Sequence, residues 1–121
     1  PGRALLDAGA AVAIATNFNP GSAPCPAMPM AIVLACRKMG FTPQEAIAAC
    51  TYNAACVLGL QGEVGSIAVG HRADLIVLET TNERDLAWMV APPPPPLIVS
   101  RGEVIQFLAD AGGLDEQAEE E

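Results

Sequence analysis

The chain has 121 residues, 51% of them hydrophobic, which is enough apolar material to build one ordinary core. Its formal net charge of −8 argues against a nucleic-acid-binding face, which would need a basic surface. Every basic residue precedes Ala109, while Asp110, Asp115, Glu116, Glu119, Glu120 and Glu121 crowd the end, so residues 109–121 read as an acidic, disordered, solvated tail.

No apolar run reaches the roughly 20 residues a membrane helix needs, and the stretch 23–36 is interrupted by Pro24, Pro26 and Pro29. The expected partners therefore include no membrane and no nucleic acid. No initiator Met or signal peptide opens the chain; Pro1-Gly2-Arg3 leads straight into an apolar segment, as in a piece of something larger. Cys25, Cys36, Cys50 and Cys56 form no CxxC and have no histidine at metal-site spacing. They read as buried reduced thiols, which suits a cytoplasmic protein.

In chain order, residues 3–9 read as a helix end stopped by Gly9. Residues 10–16 are small and β-branched and read as a buried strand. The strand breaks into Asn17-Phe18-Asn19-Pro20-Gly21-Ser22, a polar turn. Met30 to Met39 predict an apolar helix closed by Gly40, with Arg37 and Lys38 suited to its negative end. Thr42, Pro43 and Glu45 mark the start of the next helix with a capping box, and apolar spacing carries that helix to Gly59. Ser66–Val69 and Ala73–Glu79 then read as strands around a Gly70-His71-Arg72 turn. Five prolines at 92–96 are an extended connector, followed by a hairpin of Leu97–Val99 and Val104–Leu108 turning at Arg101-Gly102.

Chemistry-bearing patterns are few. His71 is the single histidine and sits in a turn, and Asp74 beside Arg72 reads as a structural hydrogen-bonding group. No nucleophile triad, HExxH motif or phosphate loop is present. The turn 17–22 stands apart, because two amides, a glycine and a hydroxyl can present several donors and acceptors to one polar ligand. A plain turn uses the same residue types.

Two stretches resemble a known family. Gly65-Ser66-Ile67-Ala68-Val69-Gly70-His71-Arg72-Ala73-Asp74-Leu75 resembles the Gly-Ser-x-x-x-Gly-x-x-Ala-Asp-Leu signature of the amidohydrolase superfamily. More specifically, Ala15-Thr16-Asn17-Phe18-Asn19-Pro20-Gly21-Ser22, with Met28-Pro29-Met30, Leu34-Ala35-Cys36, Thr42-Pro43-Gln44-Glu45-Ala46 and Thr51-Tyr52-Asn53-Ala54-Ala55, resembles the imidazolonepropionases. Those enzymes open the ring of 4-imidazolone-5-propanoate to N-formimidoyl-L-glutamate in histidine degradation. The resemblance implies an α/β fold: the last β/α unit or units of a metal-dependent (β/α)8 barrel (residues 1–62), then strands of a small β-sandwich domain (residues 63–108). It makes residues 11–16 the last barrel strand.

The resemblance also implies a small-molecule substrate and a divalent zinc or iron ion, which lowers the pKa of bound water. Position 17 matches the family's metal-binding, catalytic aspartate, filled here by Asn17; Asn19, Gly21 and Ser22 match substrate-binding positions. The remaining ligands, three histidines, have no counterpart in the chain, so this stretch alone is expected to bind no metal and to be inactive. Two other readings stay open: a non-catalytic ligand- or partner-binding domain, self-associating through an exposed barrel edge, or another cyclic-amide hydrolase of the superfamily.

Overall fold

A computed structural model describes residues 1–107; Leu108 and the acidic stretch 109–121 lie outside the described residues. Four helices come first: α1 (Gly2–Asp7), α2 (Met28–Met39), α3 (Pro43–Cys50) and α4 (Tyr52–Val57). Strand β1 (Leu75–Val77), a 3₁₀ helix (Glu83–Ala87), β2 (Leu97–Ser100) and β3 (Glu103–Phe107) follow.

The core is helical and built largely from small residues. Ile32 and Ala35 of α2, Phe41 of the α2–α3 link, and Ala46 and Ala49 of α3 form one buried cluster. Alanines at the crossing let the helix backbones approach closely. Leu6, Val12, Ile14, Met28, Met39 and Leu86 pack around this cluster. Leu86 belongs to the 3₁₀ helix, which rests on both α2 and α3 and ties the later half of the chain to the helices.

Local signals decide the helix ends. Gly40 adopts φ 75° and closes α2, as an L-residue would only under strain. The capping box of α3 is complete: Thr42 Oγ1 accepts from Glu45 N at 3.2 Å, and Thr42 N donates to Glu45 Oε2 at 2.8 Å. Glu45 also receives Arg3 Nη1 at 2.9 Å, joining α1 to α3. Hydrogen bonding from Arg3, and then from the Thr42 backbone, holds the Glu45 carboxyl at about 2, below the usual carboxylate range.

The expected single helix 42–58 is in fact two. Thr51 (φ −119°, ψ −89°) breaks it, and its hydroxyl donates back to Ile47 O at 2.7 Å. Thr51-Tyr52-Asn53 is a run of three weak helix formers, and a Thr side chain bonded to the carbonyl four residues back bends helices. Gly65 packs into the break with φ 86°. A Cβ there would lie 2.7 Å from Ala55 Cβ and 2.9 Å from Thr51 O.

Two predicted strands are absent as ladder elements. Residues 10–16 belong to no sheet, and neither do Ser66–Val69; a strand exists only through its neighbours, and the described residues supply none. Ile67 and Val69 are 91% and 106% exposed. The strand expected over Ala73–Glu79 shrinks to β1. Residues 11–16 nonetheless keep a strand-like alternation, with Val12, Ile14 and Thr16 half-buried and Ala11, Ala13 and Ala15 exposed.

The sheet is antiparallel in the order β1-β2-β3. The β2–β3 hairpin turns at Arg101 (φ 52°) and Gly102 (φ 84°), the pair of positive φ values a two-residue hairpin of type I′ needs. Its tip docks on the corner before β1: Arg101 N donates to Asp74 Oδ1 at 2.8 Å, and Gly102 N to Ala73 O at 3.0 Å. These bonds, with Arg72 Nε on Asp74 Oδ2 at 2.5 Å, give Asp74 a structural role. The backbone N–H of Arg101, and then Arg72, lower its pKa. Residues 92–95 belong to no helix or strand, and Gln106 Nε2 donates to Pro95 O at 2.7 Å.

The cysteines are free, but the expectation that they are buried fails. Cys25 and Cys56 are exposed, while Cys36 and Cys50 are half-buried. Burial pushes the thiol pKa of both Cys36 and Cys50 up, which makes them poorer nucleophiles.

Candidate functional site

The turn predicted from the sequence is real, and one side chain organises it. Asn19 Oδ1 accepts from Gly21 N at 3.1 Å, Ser22 N at 2.8 Å and Ser22 Oγ at 3.1 Å, while Asn19 Nδ2 donates to Asn17 O at 2.8 Å. This is an Asx-type turn, in which a short amide imitates a backbone corner. The backbones of Asn19 and Ala23 bridge each other at 3.0 and 3.2 Å, and Phe18 N donates to Thr16 Oγ1 at 3.3 Å.

Asn17, Asn19, Gly21 and Ser22 are therefore together, with different capacities. Asn19 commits its Oδ1 and one Nδ2 hydrogen to the loop, and Ser22 commits its donor to Asn19. Gly21 is not forced by its backbone: an added Cβ would meet only Asn19 Oδ1, at an ordinary 3.5 Å. Asn17 sits at φ 52°, a left-handed conformation that Asn tolerates better than most residues. Its side chain is exposed and takes no part in the hydrogen bonds described for the loop.

The segment leading to this loop is held from one side. Ile14 N donates to Ala49 O at 3.1 Å, and Asn53 Nδ2 donates to Val12 O at 2.9 Å in a part-buried setting. Asn53 stands in the Thr51-Tyr52-Asn53-Ala54-Ala55 stretch that resembles the imidazolonepropionases, but nothing in that stretch pointed to its bond with Val12 O. The Thr51-Tyr52-Asn53 run of poor helix formers was the available signal for the break in the helix.

The divalent metal implied by the sequence resemblance does not fit the residues described. No group of three or more His, Cys, Asp or Glu comes together among them. Asn17 offers a neutral amide oxygen where a carboxylate would be the stronger ligand, and His71 Nδ1 lies 3.2 Å from Ser66 Oγ in an exposed turn. A cavity of about 180 Å³ between Leu78–Thr80, the 3₁₀ helix and Pro92–Pro96 is mostly apolar. Its Asp85 is already engaged by Thr80 Oγ1 and by Trp88 Nε1 at 3.1 Å.

Comparison with known proteins identifies the family. Residues 2–112 match the amidohydrolase family. The chain is 52% identical over 88 residues to the imidazolonepropionase of Rubrobacter xylanophilus, covering 73% of this chain and 21% of that protein. It is 41% identical over 106 residues to the imidazolonepropionase of Herpetosiphon aurantiacus, covering 88% and 25%. Among solved structures, a putative prolidase from Bifidobacterium longum superposes with TM-score 0.71 at 30% identity, covering 86% of this chain and 25% of that one. An enamidase shares the fold, with TM-score 0.68 at 22% identity over 88% of this chain and 29% of that one. The chain thus spans about a quarter or less of the length of the curated relatives it matches. The chain belongs to the amidohydrolase family.

Proposed function

We propose that the chain is the carboxyl-terminal part of an imidazolonepropionase-like hydrolase, with residues 17–22 as its substrate loop. The observation that carries this reading is the identity to imidazolonepropionases, up to 52% over 88 residues. Within it, residues 1–62 are the end of a (β/α)8 barrel, 63–108 part of a small β-sandwich domain and 109–121 an acidic tail. The strand-like alternation of residues 11–16 supports their assignment as the last barrel strand. The parent enzyme acts on the imidazolone ring in histidine degradation in the cytoplasm, with zinc or iron as its metal.

The residues of this chain act in that reading by binding and orientation. Asn19 fixes the loop, and its Gly21 and Ser22 neighbours face the carboxylate-bearing end of the substrate. Asn17 occupies the aspartate position, but an amide takes up no proton near neutral pH. A lost general base typically costs about 10²–10⁴-fold in rate, so the Asn17 parent turns over slowly. The 121-residue chain alone is inactive.

Metal analysis and an imidazolone-consumption assay on the purified chain test the inactivity. Substoichiometric metal and no turnover are expected, and stoichiometric zinc with ring opening refutes it. The coding sequence upstream of Pro1 tests the assignment. A His-x-His strand and further β/α units are expected there; without them, a stand-alone binding domain replaces the fragment.

A further inference from the structure

We infer that Asn53 is the positioning residue of the candidate loop, setting where residues 17–22 stand without touching any ligand. The loop is self-contained: the hydrogen bonds described for residues 17–23 run within 16–23. Its placement therefore depends on the segment it hangs from. That segment is pinned at two points on one edge, Val12 O by the Asn53 amide and Ile14 N by Ala49 O. In an extended chain, backbone groups of residues 12 and 14 point to the same side, so the two bonds form a rail facing α3 and α4.

The rail ends three residues before Asn17, a reach of about 10 Å in extended chain. The helix break serves this geometry. Thr51 turns α4 away from the line of α3, and Gly65, pressed on Thr51 O and Ala55, braces the turn. Asn53, on the first turn of the redirected helix, reaches across 41 residues of sequence to Val12 O. Val12 and Ile14 also pack on the core, but apolar contact is non-directional and leaves the segment free to slide; the amide bond fixes its register. The bearing on catalysis rests on the proposed role of the loop, whereas the positioning itself does not.

Hydrogen exchange by NMR on the 121-residue chain tests the inference, comparing wild type with Asn53→Ala, the isosteric non-donor Asn53→Asp and the donor-retaining Asn53→Gln. A part-buried hydrogen bond typically supports about a tenfold change in an opening equilibrium. The amide of Ile14 should exchange about tenfold faster in Asn53→Ala and Asn53→Asp, with the amides of Asn19 and Ala23, bonded to each other inside the loop, and those of α2 and α3 unchanged and Asn53→Gln close to wild type. Unchanged exchange at Ile14 overturns it. So does equal acceleration or loss of structure throughout α2 and α3, which makes Asn53 a residue of the fold and not of the loop. Because no turnover is read, the result stands apart from whether the loop binds a substrate.

Discussion

Replacing Gly65 by alanine isolates the strain stored at the helix break. Gly65 sits at φ 86°, where an L-residue costs about 1–2 kcal/mol. The new methyl would also stand 2.7 Å from Ala55 Cβ and 2.9 Å from Thr51 O. Neither neighbour is a flexible side-chain end, so the backbone must shift, an overpacking cost of about 1–3 kcal/mol. The sum is about 2–5 kcal/mol, and each kcal/mol lowers Tm by about 4–8 °C in a domain near this size.

Gly59→Ala is the control, since Gly59 has φ 73° but nothing within 4 Å of a built Cβ. It incurs the backbone term alone, and the entropy that alanine removes from the unfolded chain cancels in the comparison. Thermal melts followed by circular dichroism should place Gly65→Ala at least about 4 °C below Gly59→Ala, the smallest packing cost converted to temperature. Melts that coincide would refute the close-approach argument and leave only the conformational one.

Other predictions follow from the same structure. Glu45 titrates at about 2 when folded against 4.5 for the free group, so its stabilisation is present above about pH 4.5 and lost as pH falls toward 2; a Tm–pH series should lose part of this slope in Glu45→Gln. Phe41, only 5% exposed in the helical cluster, should cost about 3–5 kcal/mol as Phe41→Ala in urea denaturation. Asn19→Ala should leave the melt within about 1.5 kcal/mol of wild type while moving the NMR shifts of residues 17–23 toward random-coil values, because its bonds are local to an exposed loop.

What the sequence made legible was what lies close along the chain. The Thr42–Glu45 capping box, Gly40 at the end of α2 and the hairpin at Arg101-Gly102 are each decided within four residues, and each is present. The strands expected at 10–16 and 66–69 required partners that no local pattern supplies. The turn 17–22 was visible from its residue types, but the spending of the Asn19 amide on the turn itself was not. The Asn53–Val12 bond spans 41 residues, so only the fold brings it together.

The docking of the hairpin tip on Asp74 also settles how the strands line up. Strand alignment normally follows from one oily and one wet face, since a one-residue slip exchanges them. Leu75-Ile76-Val77 and Leu97-Ile98-Val99 are apolar on both faces, so slipping one strand past the other exchanges one aliphatic surface for another at little cost. The alignment information is held outside the ladder, in an acid that grips a turn 27 residues away. Removing that carboxylate with Asp74→Ala would leave the tip held by Gly102 N on Ala73 O alone, and the alignment of the strands correspondingly looser.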